Sequence, residues 1–297
     1  MDLLVVGDLN ADLVLRGGEI EPAFGQREQV VDEAELVLGG SGGIMAAGAA
    51  KLGLDVAIVA CVGTDALGTV MIDALEQAGV DTSAVIRTPD AATGISVALA
   101  RPGDRAILTA PGALARLRAQ DVPAERLARA RHVHVTSPFL QDGLRPGLRA
   151  IADGARSSSL DTGWDPREEW SVPLDAFDVL LPNAEEALRL AHRSDGDVEA
   201  AARDLAARGP TVVVKLGAEG ALAIAGEDVV RVAGTPVEPV DSTGAGDSFA
   251  AGFLAARLNG DGLAAALALG CACGALSTRR AGGTAGQPTL AEARALT

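Results

Sequence analysis

The sequence predicts an α/β protein built on a mainly parallel sheet covered on both faces, and three observations predict it. Short β-branched or apolar runs alternate with helix-like segments along most of the chain. Of the 297 residues 48% are hydrophobic, enough for a substantial buried core. No fixed-period repeat, low-complexity tail or linker breaks the pattern, so a single domain over residues 1–297 is expected.

The apolar runs fall at 3–6, 56–60, 132–136, 159–161, 179–181 and 211–215. Helix-like segments at 44–52, 67–78, 144–155, 184–191 and 198–208 separate most of them. Two stretches depart from this rhythm: 26–38, and 93–109, where 95–100 and 106–109 flank the turn-forming Arg101-Pro102-Gly103-Asp104. They predict antiparallel strands outside the main sheet, serving either as a small sheet over a pocket or as an edge extension. Two further helices, about 245–258 and 263–278, are rich in Ala and Gly and are expected to approach each other closely. In such folds ligands bind where loops leave the carboxyl ends of the strands, so the chemistry is sought there.

With 40 acidic against 25 basic residues the formal net charge is −15, which argues against nonspecific adhesion to nucleic acid or to an anionic membrane. A small-molecule partner is expected instead. Cys61, Cys271 and Cys273 are odd in number and form no Cys-x-x-Cys pair, which fits a reducing compartment. The first residues lack the basic flank and apolar length of a secretory leader, and 263–276 is too short for a membrane span. A cytoplasmic location is expected.

The sharpest feature is Asp241-Ser242-Thr243-Gly244-Ala245-Gly246-Asp247-Ser248-Phe249. Its glycines let successive amides point to one spot at a helix N-terminus and so form an anion hole. Asp247 falls in the first helical turn, where the dipole favours its ionised form. From there it can accept a proton from a hydroxyl aimed at a phosphoryl group. Taken alone, a Gly-Asp at a helix start is also an ordinary N-terminal acid.

This segment resembles the second signature of the PfkB, or ribokinase-like, family of carbohydrate kinases and fits it at every constrained position. The resemblance implies a ribokinase-like three-layer α/β/α sandwich with a small β-sheet lid drawn from about 10–38 and 93–109. It implies an ATP-dependent kinase acting on a hydroxyl of a sugar or sugar-like molecule. Asp247 is then the general base, and the amides of Gly244, Ala245 and Gly246 through Asp247 form the anion hole.

The resemblance extends over nearly the whole chain. Gly7-Asp8-Leu9-Asn10-Ala11-Asp12 is similar to the family's first strand and substrate loop, which implies that Asn10 and Asp12 bind sugar hydroxyls. By themselves both are ordinary turn residues. Gly39-Gly40-Ser41-Gly42-Gly43 is similar to the first signature, where glycines let the backbone approach the substrate, which implicates Gly39, Gly40 and Ser41. The family usually has asparagine at the position of Ile44, so the substrate is expected to be held differently from a typical ribose.

Leu181-Pro182-Asn183-Ala184-Glu185-Glu186 looks like the family's Asn-x-x-Glu motif, implying that Asn183 and Glu186 hold Mg2+, largely through water, near the phosphates. Alone it reads as an Asn N-cap. Residues 212–220 resemble the strand and loop beside the nucleotide, which makes Lys215, Gly217 and Gly220 neighbours of ATP together with Asn183 and Gly246. Asp241 and Ser242, with the 281–284 loop, fall where some members bind an activating K+.

Other features point less far. His132 and His134 share a strand face without an acidic or cysteine partner and read as packing or exposed residues. Trp164 and Trp170 are either a pocket rim or loop anchors. Neither Gly-x-x-x-x-Gly-Lys-Ser/Thr nor a Gly-x-Gly-x-x-Gly after the first strand occurs, against a P-loop kinase or a dinucleotide enzyme. A nucleoside kinase of the same family is the alternative, although no Tyr and five Phe leave little for base stacking. A catalytically inactive metabolite-binding relative is the other. Related kinases often dimerise through the lid sheet, so a homodimer is implied, with Ile95, Val97 and Leu99 serving that interface or the interior.

Overall fold

The computed structural model describes residues 1–18, 20–101 and 104–297, with side chains for all of these except Asp104 and Arg105. Along the chain run β1 (Leu3–Val6), β2 (Asn10–Arg16), β3 (Glu33–Gly39), α1 (Ser41–Lys51), β4 (Val56–Val59), β5 (Cys61–Gly63), α2 (Ala66–Gln77), β6 (Ile86–Thr88), β7 (Ile95–Arg101) and β8 (Asp104–Ala110). Then come α3 (Ala124–Arg129), β9 (His132–Thr136), α4 (Leu148–Asp153), β10 (Ser158–Asp161), β11 (Val179–Leu180), α5 (Ala184–Leu190), α6 (Val198–Ala206) and β12 (Thr211–Lys215). The chain closes with β13 (Gly220–Ala225), β14 (Asp228–Ala233), α7 (Ala245–Leu258), α8 (Leu263–Ser277) and α9 (Leu290–Arg294).

Eight strands form the main sheet in the order β14-β13-β12-β11-β10-β9-β1-β4. From β4 to β12 every pairing is parallel, and β13 and β14 add an antiparallel edge. Side chains alternate across a strand, so Leu3 and Val5 enter one core with α1, α2 and α7 to α9, whereas Leu4 and Val6 enter another with α3 to α6. Both faces are therefore covered, which is why β1 and β4 read as unbroken apolar runs. Leu3 through Val6 are all 0% exposed, and truncating one of these leucines to alanine is expected to cost about 2–5 kcal/mol.

Strand β1 pairs with β4 on one side and β9 on the other, so the chain reverses its direction of winding there. The crevice at the carboxyl ends of β1 and β9 is the place such sheets leave open for a ligand.

The second sheet, in the order β3-β2-β7-β8, differs from expectation in two ways. It is mixed, because β2 pairs antiparallel with β3 but parallel with β7. Asn10 and Asp12 also lie on strand β2 rather than in a loop, and of the 26–38 stretch only 33–38 is strand, within β3. The hairpin β7–β8 is antiparallel as expected, and Pro102 and Gly103 of its predicted turn lie outside the described residues. The expected helix 144–155 is a 3-10 turn over Arg145–Gly147 followed by α4, since Pro146 supplies no amide for a longer α-helix. Among the described residues no helix is long and apolar enough to cross a membrane.

Candidate active site

The geometry begins at the start of α7. Gly244 adopts a left-handed conformation (φ 69°) that glycine takes without strain, and this turns the chain into the helix. Among the described residues the amides of Gly244, Gly246 and Asp247 meet no carbonyl, whereas that of Ala245 reaches Ser242 O at 3.3 Å. Three amides rather than four are thus available to an anion. Upstream, Asp241 accepts hydrogen bonds from Thr243 N (2.9 Å), Thr243 Oγ1 (2.7 Å) and Gly282 N (2.9 Å), tying the turn to the 281–284 loop.

Two cavities meet at this turn. One, of about 750 Å³, is bordered by Asp8, Asn10, Asp12, Gly40, Ser41, Ile44, Ser96, Thr109, Trp164, Gly244 and Asp247. The other, of about 370 Å³, is bordered by Lys215, Gly217, Gly220, Ser242, Ala245 and Gly246, with Val237, Phe249 and Ala275 as apolar walls. Gly244 and Asp247 therefore face one chamber, and Ala245 and Gly246 face the other.

The larger cavity has a polar end built on the small sheet. Asn10 Nδ2 donates to Asp12 Oδ1 (2.8 Å) and Ser96 Oγ (3.1 Å), and Ser96 Oγ lies 3.1 Å from Thr109 Oγ1. This row of hydroxyl, amide and carboxylate groups crosses β2, β7 and β8. Gly39 does not border the cavity; a methyl group there would stand 2.2 Å from Asp12 Oδ1, so its missing side chain makes room for that carboxylate. Asp8 holds the following turn, accepting from Ser41 N (2.9 Å), Gly42 N (3.0 Å) and Thr136 Oγ1 (3.0 Å). It thereby stitches β1, α1 and β9 together at the point where the winding reverses.

The same cavity also has apolar lining. Ile44, Ile107, Leu140 and Trp164 border it, and Trp164 is 44% exposed. Trp164 is braced edge-on by buried Trp170 (centroids 5.2 Å), which meets Phe139 in the same fashion (5.6 Å), while the Arg189 guanidinium lies 5.9 Å from the Trp164 ring centre. One tryptophan is thus the rim and the other the anchor. The loop carrying them is shaped by Asp165, whose carboxylate accepts from the amides of Arg167, Glu169 and Trp170.

Charge is concentrated between the chambers. Lys215 Nζ lies 2.5 Å from Asp161 Oδ2, and both side chains are largely buried. Asp247 borders the larger cavity and is half-buried, with its carboxyl deep in the site. Its depth pushes the carboxyl up to about 8, helped by Asp161 and Asp8, while Lys215 and a hydrogen bond from Ser41 pull it down. The ionised form expected from the helix dipole is therefore not the favoured one at neutral pH. Burial also pushes Glu186 up to about 7, against the pull of Lys215 and with a push from Asp161.

Asn183 and Glu186 border neither cavity. They form a reciprocal cap on α5, in which Asn183 Oδ1 accepts from Glu186 N and Glu186 Oε2 accepts from Asn183 N, each at 2.9 Å. Glu186 is buried within reach of the Lys215 and Asp161 charges. His132 and His134 lie in the sheet, bonded through Ser157 and Ser159, and burial holds His132 down at about 4 and His134 well below the usual imidazole range. They are packing residues, and among the described residues no His, Cys, Asp and Glu cluster with metal-ligand geometry occurs.

Sequence reasoning did not single out Asp8, Ser96, Thr109 or Asp161. Asp8 and Asp161 each sit at or just past the carboxyl end of a central strand, which was the available signal. Ser96 and Thr109 gave none, because only strand register brings them to Asn10.

A three-layer sandwich with a small separate sheet, and two chambers meeting at a Gly-rich helix start, define the ribokinase class of fold. The chain belongs to the pfkB family of carbohydrate kinases, whose family model matches residues 1–290. It is similar to an ATP-dependent ribose-1-phosphate kinase of Halopiger xanaduensis, with 32% identity over 94% of this chain and 93% of that protein. It is also similar to a nucleoside kinase of Methanothermobacter thermautotrophicus, with 30% identity over 87% and 83% of the two chains. Among solved structures, a putative ribokinase II from E. coli in complex with ATP and Mg2+ superposes with a TM-score of 0.86, at 26% identity over 99% and 98%. The protein is accordingly a carbohydrate kinase that acts on a hydroxyl, in a family that uses ATP.

Proposed function

We propose that the chain works as one kinase unit that transfers the γ-phosphoryl group of Mg-ATP to a hydroxyl of an uncharged sugar-like acceptor, with Asp247 as general base. One observation carries this reading: the start of α7 turns Asp247 toward the chamber lined with hydroxyl-binding groups and Gly246 toward the other. The acceptor sits in the larger chamber, its hydroxyls on Asn10 and Asp12 and its reacting oxygen beside Asp247, with Gly40 and Ser41 beneath it. The nucleotide enters the smaller chamber past Gly217 and Gly220. Asp247 takes the hydroxyl proton as the oxygen attacks, and the amides of Gly244, Gly246 and Asp247 stabilise charge on the moving group.

A divalent cation suits the charge balance here: Asp161, Glu186 and Asp247 outnumber the single ammonium of Lys215, and burial together with the Asp161 charge raises the Glu186 and Asp247 carboxyls. Glu186, with Asn183 through water, would hold Mg2+, which supplies neutralisation of the phosphates. Asp241 and Ser242, with the 281–284 loop, would hold K+ in the same proposal.

The uncharged acceptor follows from the lining. Among the described residues bordering the larger chamber there is no Lys or Arg, while Asp8, Asp12 and Asp247 are present. A sugar phosphate or sugar acid would meet repulsion there. Trp164 supports a second reading, in which the acceptor is a nucleoside whose base lies against that ring, which Trp170 and Phe139 brace from behind.

The small sheet would act as a lid, and its outer face, with Leu13, Leu36, Val97 and Leu108, as the contact of a cytoplasmic homodimer. A coupled ADP-release screen across neutral sugars, sugar acids, sugar phosphates and nucleosides tests the function. Turnover with a neutral sugar or nucleoside is expected; ADP release confined to anionic acceptors would reject the proposed acceptor, and none with any acceptor would favour an inactive binding protein.

A further inference from the structure

Resting on the kinase reading, we infer that Lys215 is the protein's own cation for the transferring phosphoryl group, and that Asp161 is the residue that positions it. Among the described residues bordering the two chambers Lys215 is the only Lys or Arg. In a chain of net charge −15 it is therefore the one side-chain cation offered to a polyanionic nucleotide at the point of transfer.

Its position suits that task. A methyl group placed on Gly246 would stand 3.3 Å from Nζ, so the ammonium lies against the wall that supplies the anion hole. The missing side chain of Gly246 keeps that approach open. Lys215 ends β12 and Asp161 ends β10, on either side of β11, and their charged groups meet at 2.5 Å with 12% and 7% of the side chains exposed. A lysine on a four-carbon stem is otherwise free to fold onto any nearby carboxylate. Asp247 is such a carboxylate, facing Lys215, Asp161 and Asp8. By holding the ammonium, Asp161 keeps it beside Gly246 and off the base.

The assignment separates the two residues by kind. Lys215 touches the reacting group, so its loss should appear in turnover; Asp161 acts through Lys215, so its loss should alter the base as well. Lys215→Met, Lys215→Arg and Asp161→Asn are compared with wild type, each first checked for an unchanged circular dichroism spectrum. Lys215→Met is expected to lower kcat by about 10² to 10³ while the KM for ATP stays within about threefold, and Lys215→Arg to retain part of the turnover. In kcat/KM against pH, Lys215→Met should move the acid limb upward and Asp161→Asn should move it downward, and the Asp161→Asn shift should be smaller in a double variant that already carries Lys215→Met, because the part routed through the lysine is then gone.

Calorimetry with ADP alone and with ADP plus aluminium fluoride, a mimic of the phosphoryl in flight, gives a reading independent of any acceptor. The fluoride complex should bind wild type more tightly than ADP, and Lys215→Met should lose that increment while keeping ADP affinity. A loss confined to KM and ADP affinity would make Lys215 an ordinary nucleotide contact and overturn the inference, as would a kcat within about threefold of wild type. An Asp161→Asn shift of the same size with and without Lys215 would reject the positioning role of Asp161. If wild type phosphorylates no acceptor, the kinase reading fails, and the fluoride comparison still decides the placement of Lys215.

Discussion

Asp247 is asked to be a carboxylate in a place that favours the acid. Its pKa of about 8, against an ordinary 3.8, means that the fold binds the neutral form more readily than the charged one. The stability tied to that preference is complete below pH 4 and is lost as pH rises through 8. Asp247→Asn removes the ionisable group, so it should melt higher than wild type at pH 9, by about 5 °C or more in a chain of this size. The gap should close toward pH 4. Differential scanning fluorimetry from pH 4 to 9 measures it, and a gap that is absent or widens in acid would contradict the depth-driven shift. The same variant should lower turnover by a factor of about 10² to 10⁴ in a coupled ADP assay, as loss of a placed general base does. The residue was legible in the sequence because its neighbours in the Gly-Ala-Gly-Asp turn are local. Its raised pKa was not, because the burial that chiefly causes it, and the approach of Asp161 and Asp8 from distant strand ends, exist only in the assembled sheet.

At the scale of elements, the small sheet was expected, and what the sequence concealed is its register. Asn10 and Asp12 looked like turn residues, yet β2 carries them, since Asp12 pairs with Val37 on one side and Ser96 on the other. Cross-strand register is a long-range property with no local signature, and it also turned a supposed antiparallel sheet into a mixed one. Gly39 shows the consequence most sharply. A methyl group 2.2 Å from Asp12 Oδ1 must displace that carboxylate, so Gly39→Ala should raise the KM for the acceptor by roughly tenfold and leave the KM for ATP unchanged. An equal rise in both constants would show that the whole turn had collapsed. The sheet as a unit carries a second expectation. If it closes over the acceptor, water is kept from the γ-phosphate until the site is filled, and ATPase activity without acceptor should be a small fraction of kinase turnover. Equal ATP consumption with and without a good acceptor would argue against closure.

Across the whole molecule, the alternation of strand and helix was readable because the central strands are buried on both faces, so that β1 and β4 spell continuous apolar runs and β9 and β12 are rich in valine. Strands β13 and β14 were missed for the opposite reason: they form an edge, where β14 alternates exposed and half-buried residues, and the hairpin supplies one wall of the smaller chamber through Gly220. The net charge of −15 was plain in the composition, and it acts at a range that no single site contact shares. Lys215 and the α7 amides attract phosphate over a few ångströms, whereas the excess of carboxylates repels it from farther away. At about 10 mM salt the screening length is near 30 Å and the approaching nucleotide feels the whole acidic surface; at about 150 mM it is near 8 Å and mainly the local groups remain. Raising tetramethylammonium chloride over that range at fixed Mg2+ should therefore lower the KM for ATP, by about twofold or more, with little change in kcat. Tetramethylammonium is chosen so that any response to K+ at Asp241 does not contribute. A KM that rises with salt would mean that local attraction governs the approach from the outset, and that the acidic surface lies turned away from the mouth of the smaller chamber.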